Sequence, residues 1–222
     1  RADPSLASAH AVLSQLYYFP PFEDLVAAVL AARAAYEADA YLREAETIVD
    51  RLFWGSYDLA QFGEARRWCG EGERRFPANW RFAECHLWLL LVPGGEVDLP
   101  RAWTLAARAD SATPATQRAY RERLRQLLIG GALGRAGLPD SAERVFARAR
   151  TADPAIDPEQ DLPAVEAIAR AQMGDADRAI PLLKRYVAAH PGHSFQRGGT
   201  LHWWWRGLER HPQFQDVVRA SR

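Results

Sequence analysis

Lysine is nearly missing from this chain. Of 28 basic residues only Lys184 is a lysine, and the rest are arginine, a bias that fits a GC-rich bacterial genome. A phosphate-binding loop needs a lysine after its last glycine, and a protein kinase needs one on a strand. Lys184 lies in LLKRYVAAH, an amphipathic helical stretch, so neither role is open to it, and nothing around it suggests the desolvated pocket of a Schiff-base lysine. Cysteine is also scarce: Cys69 and Cys85 are too few for a disulfide framework or a zinc module, and both are expected reduced and buried as small apolar residues. No apolar run approaches the roughly 18 residues of a membrane span, so direct membrane insertion is not expected. Acidic and basic residues balance at 28 each, which leaves no net field to attract nucleic acid or anionic lipid. The opening Arg1-Ala2-Asp3-Pro4 has neither the basic nor the apolar region of a signal peptide, so any targeting segment lies outside this sequence and the compartment, cytoplasmic or periplasmic, stays open.

What remains is a globular composition, 48% hydrophobic and 25% charged, arranged in a repeat. Pro4, Pro77, Pro114, Pro154 and Pro191 each close an apolar helical stretch, with Ala40 in the one missing slot, at spacings of 36, 37, 37, 40 and 37. Twelve residues before these markers stand Ala28, Ala65, Ala102, Ala142 and Ala179. A side chain kept small at a fixed register is what a close helix crossing requires. GRAGLPDSA, AQMGDADRA and AQFGEA each read as a glycine-bearing stop to one helix and a start to the next, so each unit is a helical hairpin. Gly130 and Gly131 within one first helix cost about 1 kcal/mol each relative to alanine, which implies close backbone approach or a kink.

These features resemble the tetratricopeptide repeat family, whose consensus has a glycine at the hairpin turn, an alanine five residues later and a proline closing the second helix. Residues 123–156 match best, followed by 160–193 and 46–79; the period of 36 to 40 is longer than the family's 34, and the aromatic-glycine pair of the first helix is lacking. The resemblance implies an all-α fold, a right-handed α-solenoid of stacked hairpins with a C-terminal capping helix, as a single domain over 1–222. Its expected parts are the end of an upstream repeat at 1–8, hairpins at 9–40, 41–78, 79–115, 116–156 and 157–193, and a Trp-rich cap at 194–222. The run WWWRGLERHPQFQ also resembles the ends of repeat arrays in larger bacterial signalling proteins such as serine/threonine kinases.

First helices of such hairpins line a concave face. Counting back from the alanines places Leu13, Tyr17, Asp50, Trp54, Tyr57, Leu127, Gly131, Ala164 and Ile168 toward it, with Trp88 or Leu91 between. That gives an aromatic, apolar groove suited to a peptide or protein partner. Trp203, Trp204 and Trp205 spread over about 300° of an α-helical wheel, so one face cannot bury all three and at least one ring is left for solvent or a partner. The candidate partner-binding residues are therefore Tyr17, Asp50, Trp54, Tyr57, Trp88, Trp203, Trp204 and Trp205. His190, His193, His202 and His211 lack the converging ligands of a zinc site. Asp153, Asp157, Glu159 and Asp161 lack the spacing of a calcium loop. GGALGRAG at 130–137 sits within a helix, not between a strand and a helix as a dinucleotide loop would. Ser14, Ser56 and Ser194 lack a nucleophile's context. No metal, cofactor or catalytic residue is predicted. The expected function is a non-catalytic scaffold that binds a protein partner through its groove or Trp-rich end; the alternative is an accessory subunit held permanently in a larger, possibly membrane-associated assembly. Oligomeric state is not legible.

Overall fold

The computed structural model describes residues 4–41, 43–197 and 200–221. Among them the chain is all-helical, with eleven α-helices, one 3-10 helix and a two-stranded ribbon. The helices run α1 (Pro4–Tyr18), α2 (Leu25–Ala38), α3 (Ala45–Asp58), α4 (Phe62–Arg75), α5 (Trp80–Leu89), α6 (Leu99–Ala112), α7 (Ala115–Arg135), α8 (Pro139–Ala149), α9 (Leu162–Gln172), α10 (Ala176–Ala189) and α11 (Pro212–Ala220). Neighbours in sequence pack on each other in the pairs α1–α2, α3–α4, α7–α8 and α9–α10, while α6 has its main contact with α7. No helix among the described residues is long and apolar enough to cross a membrane.

The chain divides into two compact units, one of residues up to Cys85 with Gln196–Trp203, the other of His86–Phe195 with residues from Trp204 onward. In each, alanine carries the packing. Ala28, Ala65, Ala102, Ala142 and Ala179, the five residues at the common register, are all 0% exposed. Glycine extends the same close approach. A Cβ on Gly55 would lie 2.4 Å from the Val29 side chain of α2, and one on Gly131 would lie 2.9 Å from Cβ and 3.2 Å from Cα of Ala169, so α7 meets α9 nearly backbone to backbone. The phosphate-loop look-alike at 130–137 is thus filled by protein: beside Gly131, Gly130 makes room for the Phe146 ring.

The turns follow the same register. Five residues before four of the five alanines stands a residue in the left-handed region: Glu23 (φ 42°), Ala60 (φ 58°), Gly137 (φ 78°) and Gly174 (φ 82°). In AQFGEA the left-handed residue is Ala60, not the glycine, and Gly63 lies inside α4. The turn geometry is therefore kept where the glycine is not.

Both chain ends differ from expectation. Residues 1–3 lie outside those described, and Pro4 opens α1, so residues 4–8 belong to the first hairpin instead of closing an earlier one. The C-terminal segment, expected as a capping helix and a final short one, has both, but the first is a 3-10 helix preceded by a ribbon. Gln196–Arg197 pairs antiparallel with Thr200–Leu201, the tryptophans fall in a 3-10 helix, Trp203–Leu208, and α11 follows.

A left-handed conformation costs a non-glycine residue about 1 kcal/mol, so Ala60→Gly should raise the melting temperature by roughly 2–4 °C and Gly137→Ala should lower it. Thermal unfolding followed by circular dichroism reads both, and an unchanged midpoint in both variants would contradict the shared turn geometry.

Candidate functional site

The predicted groove residues separate by burial. On α1 and α3 of the first unit, Tyr17, Asp50 and Trp54 are partly exposed, Asp50 and Trp54 being one helical turn apart on a common face. Tyr17 meets the Phe22 ring edge-on at 6.5 Å, and Trp54 meets Phe53 and Tyr57 at 5.0 and 5.7 Å. Tyr57 itself is fully buried, which removes it from the surface set. Leu127 and Ile168 are likewise core residues, because their helix faces are covered by neighbouring helices.

Three consecutive residues of a 3-10 helix point about 120° apart. Trp203 and Trp205 are buried and Trp204 is partly exposed. Trp203 donates its indole N–H to the Tyr57 carbonyl at 2.8 Å and lies edge-on to Tyr57 and Phe62. Trp204 stacks on Trp88 with centroids 5.9 Å apart, and the Gln172 side-chain amide donates to its carbonyl. Trp205 lies edge-on to Phe195, which in turn meets Phe214. Trp88, Trp203 and Trp205 are therefore packing residues and not open anchors, and of the three tryptophans in the run only Trp204 is partly exposed.

Next to Trp203 sits a buried polar group. The Tyr18 hydroxyl donates to Asp58 Oδ2 at 2.8 Å, and His202 Nε2 lies 3.4 Å from Asp58 Oδ1, with both the histidine and aspartate side chains 3% exposed. An aspartate between a phenol and an imidazole orients both, and here it fastens the segment after β2 to α3. Ser56, two residues before Asp58, is fully buried and its Oγ has no hydrogen-bond partner. Arg51 stacks over the Tyr18 and Phe19 rings at 4.7 and 5.1 Å; burial pulls its pKa below the ordinary arginine value, opposed by Tyr18 and Asp50.

The histidines of the candidate metal motif are dispersed. His190 Nδ1 meets the Tyr186 carbonyl at 3.0 Å and its Nε2 lies 3.7 Å from Asp161; His193 packs on Tyr186; His211 lies 3.5 Å from Asp177. Asp157 accepts from the backbone of Asp161 and Leu162, shaping the start of α9.

Two features correct or extend the sequence reading, which placed Cys69 and Cys85 on stacking helices where their thiols could be neighbours but expected them reduced. Cys69 and Cys85 form a disulfide between α4 and α5 with Cα atoms 6.0 Å apart, which corrects the expectation of free thiols. The reason is proximity: residues 16 apart in sequence on facing helices come within bonding distance once α4 and α5 pack. The other is a charge cluster in the second unit. Arg170, 1% exposed, donates to Glu166 (2.8 Å), Asp175 (2.6 Å) and Glu143 (2.7 Å) and lies over the Phe146 ring at 4.5 Å. Arg150 closes a second pair of bonds onto Glu166, at 2.9 and 2.6 Å. Burial disfavours the ionised Glu143 carboxylate, but the hydrogen bond and charge of Arg170, helped by Arg150, outweigh it and hold Glu143 below its ordinary pKa. The sequence signal was present: Glu166 and Arg170 stand one turn apart in LPAVEAIARAQ, where every other side chain of the turn is apolar. The paired charges of the cluster join α8, α9 and the start of α10.

Intact mass should show the unreduced protein two hydrogens lighter than the reduced form. Reduction should cost about 3 kcal/mol of stability for a loop of this length, and an unchanged mass would refute the bond. Arg170→Ala removes one of the two arginines on the buried Glu166 carboxylate, leaving Arg150 in place, and should cost about 1.5–3 kcal/mol in urea unfolding. Because the folded pKa of Glu143 is depressed, its contribution is present above the unfolded value near 4.5 and is lost as pH falls through the folded one. That acid dependence should weaken in Arg170→Ala, and a variant as stable as the parent would show that the cluster carries no packing role.

Compared with known proteins, the chain matches no family model, no curated protein and no solved structure.

Proposed function

We propose that this chain is a non-catalytic interaction scaffold, a right-handed solenoid of tetratricopeptide-like hairpins that holds a protein partner on the aromatic surface of its first helices. One observation carries the reading. A left-handed residue stands five positions before a fully buried alanine in four hairpins, at Glu23 and Ala28, Ala60 and Ala65, Gly137 and Ala142, and Gly174 and Ala179. A turn and a crossing kept at one spacing, even through the non-glycine residues Glu23 and Ala60, are what a stacked repeat needs. Proteins built this way act through extended surfaces. In this chain Tyr17, Asp50 and Trp54 supply such a surface, with Trp204 as a separate accessible ring.

The Cys69–Cys85 disulfide supports a second reading, an accessory subunit held in an assembly within an oxidising compartment, because such bonds persist mainly outside the reducing cytosol. The two readings share the binding surface and differ in how long the partner stays.

A photo-reactive residue at position 54 should cross-link one discrete partner protein in cells of the native host, and Asp50→Arg, at a partly exposed site, should abolish the adduct with the melting temperature unchanged. An adduct indifferent to Asp50→Arg, or none from positions 17, 54 and 204, would overturn the scaffold reading. A stoichiometric partner that survives high-salt purification would favour the permanent assembly.

A further inference from the structure

Two cysteines do not make a zinc module, but the second of them is followed directly by a histidine. Cys69, Cys85 and His86 fall within one short stretch, CGEGERRFPANWRFAECH, that runs from α4 through a turn into α5. Consecutive helical positions point about 100° apart. Even so, one ring nitrogen of His86 and the sulfurs of Cys69 and Cys85 lie within 4.8 Å of one another. Cys69 and Cys85 are 0% and 2% exposed, and His86 is partly exposed. The disulfide uses two of these three donors.

The bond alone does not hold the cysteines together. Gly72, one turn after Cys69, makes room for the ring of Phe82, one turn before Cys85, and a Cβ on Gly72 would lie 2.1 Å from that ring. Phe82 also stacks on Phe76 with centroids 5.8 Å apart, and the Asn79 N–H donates to the Phe76 carbonyl at 2.9 Å to close the turn. Packing beside the cysteines thus locks α4 onto the start of α5, so two thiols released by reduction stay neighbours. The Phe82 carbonyl oxygen lies 3.1 Å from the Cys85 sulfur and 3.8 Å from that of Cys69, which gives two buried S–H groups one carbonyl to share.

Two thiols and an imidazole are a donor set for zinc(II). With Zn–S near about 2.3 Å and Zn–N near about 2.0 Å, a tetrahedral ion holds its ligands roughly 3.5–4 Å apart, inside the 4.8 Å that the three donors span. Charge selects the ion. Two thiolates and a neutral imidazole cancel a dication, whereas copper(I) would leave one negative charge unbalanced at buried sulfurs. The fourth position falls to water, which reaches the site on the side of the partly exposed His86.

We propose that Cys69, Cys85 and His86 form a redox-gated zinc site, closed as a disulfide under oxidising conditions and binding zinc(II) once reduced. A dithiol reductant passes two electrons and two protons to the sulfurs and is itself oxidised to a disulfide. Zinc then displaces both thiol protons to solvent, forming two Zn–S bonds and one bond to the His86 lone pair with no change in its own oxidation state. Reducing conditions therefore exchange one link between α4 and α5 for another. The site goes beyond the scaffold reading and uses none of its surface residues.

Cobalt(II) serves as the spectroscopic probe for zinc. Reduced with tris(2-carboxyethyl)phosphine and freed of it, the chain should bind one cobalt(II) with a thiolate-to-cobalt charge-transfer band and the visible bands of a tetrahedral ion, all erased by added zinc(II). The oxidised chain should show none of them, and Cys85→Ser should abolish them in the reduced one. His86→Ala should keep the disulfide and the melting temperature of the oxidised chain. Its zinc affinity should fall by more than the roughly 10–100-fold that loss of an outer-shell partner costs, and His86→Cys should restore binding. A reduced chain that takes up no cobalt(II), the same bands in the oxidised chain, zinc bound as tightly by His86→Ala as by the parent, or a disulfide that opens only on unfolding would each overturn the proposal. The cross-link sought at position 54 is read on the oxidised chain without metal, so the two ideas fail separately.

Discussion

The close crossing of helices at a small residue is the constraint on which the rest of the fold depends. An alanine or glycine at the crossing brings two helix backbones to the short end of the usual 8–10 Å spacing, roughly, and any larger side chain forces them apart. Ala28, Ala65, Ala102, Ala142 and Ala179 are closed to solvent without exception, and Gly55 and Gly131 leave no room for a Cβ against Val29 and Ala169. Once the second helix of a pair is fixed at that point, the turn before it must reverse the chain within a few residues. The left-handed residue five positions earlier performs that reversal. Its conformation is held even where the residue is Glu23 or Ala60, so the helix crossing outweighs the local cost of about 1 kcal/mol.

Close crossing has a second consequence. Alanine-rich contact faces bury little area per residue, so longer side chains must fill the space around the crossings. In the first unit aromatic rings do so: Phe53, Tyr57, Phe62 and Trp203 form a run of edge-on and stacked contacts around α3 and α4. In the second unit two arginines share the task. Arg125 reaches Asp110 and Thr113 from α7, and Arg170 spans three carboxylates while its guanidinium covers the Phe146 ring. Phe146 itself occupies the place that a side chain on Gly130 would take. Crossing, ring and ion cluster are therefore one packing solution, in which removal of Arg170 would uncover the Phe146 ring and leave its carboxylates to Arg150 and Arg178.

Much of this was legible in the sequence. Helix content, the pairing of helices and the alanine register follow from spacing alone, because periodicity and side-chain size act locally. What was missed depended on long-range geometry or on residues outside the usual signals. The proximity of Cys69 and Cys85 on consecutive helices was legible from the hairpin order, but whether the pair is oxidised was not, and the structure closes the bond. The left-handed turns at Glu23 and Ala60 carry no glycine to mark them. The tryptophan run was read as an α-helix with two rings packed and the third half exposed; that division holds, with Trp203 and Trp205 inside, but on a 3-10 helix at about 120° per residue. The short ribbon before it was signalled by Gly198-Gly199 between Gln196-Arg197 and Thr200-Leu201, a hairpin dipeptide outweighed by the helical repeat upstream. The candidate site contracted for one physical reason: aromatic residues that suit a binding surface suit a core equally well, and burial decides between them.

The same criterion, applied to α1, runs the other way. Tyr57, Trp88, Trp203 and Trp205 are apolar residues that the single chain satisfies, and Leu6, Val12, Leu13 and Leu16 are apolar residues that it does not. Solubility alone would place charge on such a face, as on α4, where Arg66, Arg67 and Arg74 face solvent. The outer face of α1 carries no such charge, so exposure there separates residues that the single chain leaves at its surface from the register alanines, which the helices they meet enclose.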